Sequence, residues 1–531
     1  MARLLNPFLS TLLATLLATL WLLRAAPATA QQPSDPWPTR GWTVSSPEEQ
    51  GMSSEVLARL VESGAFNNLD SLLIARHGKI VLEATYAPFR GGLKHRINSS
   101  TKAVSGSLIA IALEQGVLDS LDRRVVDFFP DRTIANLDDR KKAITIRHLL
   151  DMTSGLQWDE GVNGGLASFL AMEGSSDWQQ YILDRPMATN PGSVFYYNSG
   201  NSHLLSAILT RLTGRSAFDY ARQKLFGPLG IDDVQWRHDP QGISGGGAGL
   251  YMLPRDMAKF GYLYLRNGVW NGKQIVPSSW VDHVRRASID MRESWSTNLR
   301  YGSQFWTLPG RDSFMSVGFN NQIVVVMPKL DIVVATTGSA RFPTLGGAPW
   351  RPRFDIETLI GHVEAAVKSP GPIAVDPAAT AELAKRIADA ARETAAPVGS
   401  APPALAKPIS GKVWRFPDNP LDIKSITLVL DGPESSYSLD FRRLPPGVTA
   451  TRFGGPIGFD GHYRVGGRLL YGPSASRGAW QADGKTLILE IQTLGNDDVV
   501  RATHVFGNRT IEITFEAANG FRTQMRGESD E

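Results

Sequence analysis

Residues 98–116 read NSSTKAVSGSLIAIALEQG, and this stretch decides how the rest of the chain is read. Ser99 and Lys102 stand three positions apart, so on an α-helix they share one face. The spacing predicts such a helix: Asn98 is a favoured N-cap, Val104, Leu108 and Ile111 recur at helical intervals, and Gly116 suits the left-handed turn that ends it. Ser99 then falls in the first turn, where free backbone N–H groups and the positive end of the dipole favour a developing oxyanion. A serine hydroxyl is a weak nucleophile until a neighbour takes its proton, and Lys102 is within reach to do so. The pattern S-x-x-K is weak by itself, since about one chance match is expected in a chain of this size, so context must supply the specificity.

That context is mixed helix and strand. Upstream, SLLIARHGKIVLEATY (71–86) reads as two strands folded at His77-Gly78-Lys79, with a helix before them at 55–61. Downstream, TIRHLLDMTSGL (145–156) is expected as a helix closed by Gly155. PGSVFYYNSGNSHLLSAILTRLTG (191–214) is expected as a turn, a polar loop and a helix ended by Gly214. A glycine cluster at 245–249 precedes a helix that begins near Pro254. The apolar runs 323–327 and 332–336 read as buried strands of one antiparallel sheet. Strands near both ends with helices between them predict an α+β domain, an antiparallel sheet flanked by helices that joins both ends of the domain.

Length and composition bound the rest. With 531 residues, 42% hydrophobic and 20% charged, the chain is globular and too long for one ordinary core. A formal charge of +3 and no Lys/Arg-rich run give no reason to expect nucleic acid as partner. There are no cysteines, which removes disulfides, thiolate metal sites and cysteine nucleophiles. Residues 1–30 read as an export signal: Arg3, an apolar core from Leu9 to Leu23, then Ala28-Thr29-Ala30 as the cleavage site. A periplasmic or secreted protein follows, with membrane contact only through that segment if it stays uncleaved. The hydrolytic domain is expected over 31–367, an Ala/Pro-rich linker with one helix at 378–394 over 368–410, and an all-β domain, barrel or sandwich, over 411–531. The last is carried by alternations such as Ile426/Leu428/Leu430, Leu487/Leu489/Ile491 and Ile511/Ile513/Phe515.

Taken together, S-x-x-K at 99–102, HLLDMTSGL at 148–156, PG-x-x-F-x-Y at 191–197 and a G-x-x-x-Q strand at 318–322 are far more specific than any one of them. The chain resembles the serine hydrolases of the β-lactamase and penicillin-binding-protein superfamily. The likeness is to the class C β-lactamase-like branch, which also holds esterases, D-aminopeptidases and 6-aminohexanoate-dimer hydrolases. It covers roughly 41–367. It implies a β-lactamase/transpeptidase-like domain, Ser99 as acylated nucleophile, Lys102 and Tyr197 as the proton-transfer pair, and the backbone N–H groups of Ser99 and Phe319 as oxyanion hole. Ser199, Ser316 and Gly318 would contact substrate. A small ester, amide or peptide is the expected substrate, with no metal and no cofactor. A literal Y-x-N places Tyr196 with Asn198 instead; counting from Pro191-Gly192 selects Tyr197 and puts Ser199 where many members have asparagine. A lysine ammonium beside the phenol is expected to lower its pKa, and which of Lys102 and Tyr197 is the base stays open.

The third motif departs from the resemblance. Many members carry Lys or His at the position of Ser316, a cation for substrate carboxylates; Ser316 donates a hydrogen bond without charge. Efficient β-lactam hydrolysis is therefore not expected, and β-lactamase or D,D-peptidase activity is the alternative reading. A catalytically idle penicillin-binding-like receptor is another. A rival nucleophile is Ser244 in Gly242-Ile243-Ser244-Gly245-Gly246, which fits G-x-S-x-G but lacks the strand before and the helix after that an elbow needs. His148 is expected to be structural.

Overall fold

The computed structural model describes residues 37–529 except 162–164, 292–297, 343–354, 397, 432–433, 445–447, 449, 497–498 and 519. The export signal expected at 1–30 lies outside them.

Among the described residues, nine strands form the central sheet. They are β1 (Thr43–Val44), β2 (Leu69–Arg76), β3 (Lys79–Thr85), β4 (Ile289–Asp290), β5 (Arg300–Gly302), β6 (Phe305–Leu308), β7 (Ser313–Gly318), β8 (Gln322–Met327) and β9 (Ile332–Gly338). Their spatial order is β1-β3-β2-β9-β8-β7-β6-β5-β4. The early hairpin β2–β3 meets the late strands at the β2–β9 pair, where Val334 lies opposite Ile74, so the sheet does join both ends of the domain. It is mixed rather than purely antiparallel, because β1 runs parallel to β3.

The central strands are apolar on both faces, and period-2 geometry divides their side chains between two cores. Leu73, Ala75, Val324, Val326, Val333 and Ala335 enter one core with α2 (Thr101–Glu114) and α5 (Pro254–Leu265). Leu72, Ile74, Ile323, Val325, Ile332 and Val334 enter the other, with α1 (Ser54–Phe66) and α6 (Ile356–Ala366). Helix α2 is buried all round from Thr101 to Ala112, so a single apolar stripe understates its burial. Its polar residues find internal partners: Ser105 Oγ donates to Gly246 O at 2.8 Å, and Ser107 Oγ lies 2.6 Å from Tyr264 Oη.

Two expected helices are shorter than the sequence suggests. The one at 145–156 is α3 (Ile146–Leu150), capped by Thr145, whose side chain and that of His148 bond each other's backbone N–H. It ends before Met152, which adopts φ of 58°. The one at 98–116 begins as a 3-10 turn, Asn98–Ser100, and becomes α-helical only at Thr101. Residues 368–410 are not a free spacer. Helix α7 (Pro377–Ala390) buries Leu383 in the second core and pairs Arg386 with Glu62 of α1 at 3.0 Å.

Beyond 411, ten strands among the described residues, from Val413–Arg415 to Arg522–Ser529, form a closed barrel, sealed where Trp414 pairs with Ser529. Its core includes Trp414, Trp480, Ile426, Leu428, Leu487, Leu489, Ile511 and Ile513. The barrel touches the catalytic-side domain at one corner: Gly495 O accepts from the backbone N–H of Arg96 at 2.7 Å, Gln492 Nε2 donates to Ser339 Oγ at 2.9 Å, and Arg501 lies over the ring of Phe342.

Candidate active site

Ser99 sits in the 3-10 turn that opens α2. Asn98, expected to cap the helix, takes φ of 46° instead, a conformation asparagine tolerates better than most residues. Its amide donates to Phe319 O at 3.1 Å. Ser100 Oγ donates to Gln322 O at 2.6 Å. The serine turn is thus tied on both sides to the β7–β8 connection. Gly318 explains how close they come: a Cβ there would stand 2.4 Å from Ile97 O and 3.1 Å from Ser100 N, so only glycine fits. Phe319 follows directly, with its backbone alongside the Ser99 turn.

Lys102, one turn further on, is buried, and its Nζ meets three oxygens: Ser99 Oγ at 2.9 Å, Ser199 Oγ at 2.8 Å and Gly247 O at 2.8 Å. Burial pulls the ammonium down to about 8, with the Glu160 carboxylate opposing.

Tyr197 arrives on the loop that starts at the Pro191-Gly192 turn and ends where Asn198 caps α4 (Ser199–Thr213) by accepting from Asn201 N. Its ring lies under Lys102 Nζ, 4.7 Å from the centroid, and packs edge-on against Tyr301. Its hydroxyl is hydrogen-bonded to Ser99. Tyr196 points outward and is 43% exposed, so the register counted from Pro191-Gly192 is the one that meets Ser99. The expected acidification of the phenol is absent: burial pushes Tyr197 far up, Glu160 adds to the shift, and the Ser99 hydrogen bond only partly opposes them.

Ser199, expected to contact substrate, is 1% exposed. Its hydroxyl is spent internally, between Lys102 and Glu160 Oε1, which lies 2.5 Å away. Glu160 is the main participant that sequence reading missed, and Gly247 is the second. Close approach is the reason for the glycines here: a Cβ on Gly246 would stand 2.0 Å from Ser202 O, and one on Gly247 2.8 Å from Ser199 O. Without side chains, this segment lies against α4 and turns its carbonyls to Ser105 and Lys102. Ser244 belongs to the same irregular segment; its Oγ accepts from Phe218 N and its carbonyl from Ser206, away from the Ser99 cluster.

Ser316 is buried on β7, opposite Val324 and two residues before Gly318 on the same face. Arg341 is engaged with Asp70 and Leu69 O, and Arg311 with Glu364. A cavity of about 660 Å³ lies beside the tyrosine loop, lined by Arg147, His148, Asp151, Gly192, Phe195 and Asp290 among others. His148 Nδ1 accepts from Thr145 N at 3.1 Å, the structural role expected of it.

A buried lysine and a buried tyrosine thus converge on one serine at the head of a helix that is locked to the β7–β8 connection, on a β-lactamase-like α+β fold. The Beta-lactamase family model matches residues 57–351, more than half of the chain, and the chain belongs to that family. It is a hydrolase of the β-lactamase and penicillin-binding-protein superfamily. The 6-aminohexanoate-dimer hydrolase of Paenarthrobacter ureafaciens is 23% identical over 290 residues, 51% of this chain and 72% of that protein. Monacolin J acid methylbutanoyltransferase of Aspergillus terreus is 26% identical over 157 residues, 27% of this chain and 38% of that protein. Among solved structures, "Putative 6-aminohexanoate-dimer hydrolase from Bacillus anthracis" shares the fold with a TM-score of 0.51 at 21% identity, covering 61% of this chain and 87% of that one.

Proposed function

We propose that this protein is an exported serine hydrolase that cleaves an ester or amide through an acyl-enzyme on Ser99. The observation that carries the reading is the 2.9 Å contact between Lys102 Nζ and Ser99 Oγ. A lysine drawn down to about 8 is neutral in a useful fraction of molecules near neutral pH, whereas Tyr197, pushed far up, keeps its proton. Lys102 is therefore the base and Tyr197 the acid. Lys102 takes the Ser99 proton as Oγ attacks the carbonyl carbon, and the N–H groups of Ser99 and Phe319 receive the oxyanion. Tyr197 gives its proton to the leaving oxygen or nitrogen, leaving a phenolate whose ring lies against the Lys102 ammonium. Water then attacks the acyl carbon by the same steps in reverse, freeing the acid and restoring Ser99.

The charge pattern favours neutral substrates. Ser316 supplies no cation, and Arg311 and Arg341 are paired elsewhere. β-Lactams and peptide carboxylates therefore lack a charge partner from these residues, and a small ester or a short amide is the substrate class this site suits best. Export is supported by the signal-like residues 1–30. The test is to treat the purified protein with a fluorophosphonate probe and a panel of p-nitrophenyl esters, short amides and nitrocefin. Labelling with ester turnover is expected; nitrocefin cleaved as fast as the esters overturns the substrate assignment.

A further inference from the structure

The hydrogen bonds around Lys102 have a direction, and Glu160 sets it. Gly247 O, a carbonyl, only accepts. Ser199 Oγ, a hydroxyl, can accept or donate, but it donates to Glu160 Oε1 at 2.5 Å. The carboxylate itself is fixed through its other oxygen, which accepts from Trp158 Nε1 at 2.7 Å and from the backbone N–H of Ser199 at 2.8 Å. With its proton committed, Ser199 presents a lone pair to Lys102.

We propose that Glu160, acting through Ser199, is the positioning residue that aims the lone pair of Lys102 at Ser99. A neutral amine has two N–H bonds. Ser199 Oγ and Gly247 O take both, so the lone pair is left facing Ser99 Oγ at 2.9 Å. When the Ser99 proton moves to Lys102, the ammonium has three N–H bonds for the same three oxygens. Neither Glu160 nor Ser199 gains or loses a proton. The inference rests on the reading of Lys102 as base.

Glu160→Gln tests it with little change of shape. Trp158 and the Ser199 N–H, both donors, require the amide oxygen on their side. The amide nitrogen then faces Ser199 and donates to it. The Ser199 proton must turn to Lys102, where it captures the lone pair that Ser99 needs. The expected result is a fall in kcat of about a hundredfold with KM within about twofold, the scale of losing an aligned general base. Glu160→Asp, which keeps a carboxylate, should recover part of kcat. Among the described residues, Glu160 and Tyr197 are the ionisable side chains facing Lys102. Removing the carboxylate disfavours the ammonium, so the acid limb of the kcat profile should move to lower pH, a shift that simple loss of folded protein would not produce. Rates are normalised to active sites by fluorophosphonate titration.

Glu160→Gln with kcat within about threefold of wild type and an unmoved acid limb overturns the proposal. Should that variant not fold, Ser199→Ala decides. A drop in kcat of about tenfold or more at constant KM supports the relay, and wild-type kcat refutes it. Failure of the underlying reading looks different: Lys102→Ala would then keep its turnover.

Discussion

Lys102 Nζ stands over the face of the Tyr197 ring, 4.7 Å from its centroid, while the hydroxyl of that ring reaches Ser99. Face and hydroxyl thus serve different partners. Tyr197→Phe keeps the aromatic face and removes only the proton donor. The expected outcome is a loss of kcat of about 10² to 10⁴, the range for a general acid, with the fold intact by circular dichroism. Tyr196→Phe, at an exposed position, should leave kcat within about twofold. The reverse order would move the role to Tyr196.

The lowered pKa of Lys102 sets the pH response. A protonated lysine cannot take the Ser99 proton, so kcat/KM should rise with pH and level off above about 8. Below that value the slope should approach one decade per pH unit for a single group. A pH–rate profile with an ester leaving group that does not itself ionise in this range measures it. An acid limb near the ordinary carboxylate range would assign the base to another group.

Much of this site is legible in the sequence because its spacing is local. Ser99 and Lys102 meet through one helical turn, and Tyr197 is set by counting from Pro191-Gly192. What the sequence hides is held by tertiary contacts. Asn98 has the composition of an N-cap, yet the Phe319 carbonyl from the far end of the domain takes its amide. Ser199 lies on the expected side of the site, but a carboxylate 39 positions earlier claims its hydroxyl, and no motif marks Glu160. The barrel's strands are readable from alternation, whereas its closure depends on the pairing of Trp414 with Ser529, which no local pattern specifies.

Ser316→Lys tests the substrate bias. A charge-assisted hydrogen bond contributes about 1.5 to 3 kcal/mol, so a lysine reaching the substrate carboxylate should shift the ratio of kcat/KM toward nitrocefin by about ten- to a hundredfold relative to a p-nitrophenyl ester. An unchanged ratio means that this position of β7 does not meet the substrate.

Asp70 tests the corner where the barrel docks. Its buried carboxylate is paired with His95 at 2.8 Å, Arg341 at 3.1 Å and Ser339, which in turn bonds Gln492 of the barrel. Burial raises its pKa, but His95 and Arg341 outweigh that and hold it below the ordinary value. A lowered folded-state pKa contributes stability above the ordinary carboxylate range that is lost as pH falls through the folded-state value. Asp70→Asn leaves the Arg341 guanidinium without its counter-charge and should cost about 3 kcal/mol, read as a lower Tm at neutral pH. The gap to wild type should narrow in acid. An unchanged Tm would show that this network does not hold the corner.

The covalent step on Ser99 is tested most directly by intact mass and peptide mapping after rapid acid quench of the protein with a p-nitrophenyl ester. The expected result is one acyl group per chain, located on the peptide containing Ser99, and no adduct or turnover in Ser99→Ala. An adduct that persists in Ser99→Ala, or that maps to Ser244, contradicts the assignment.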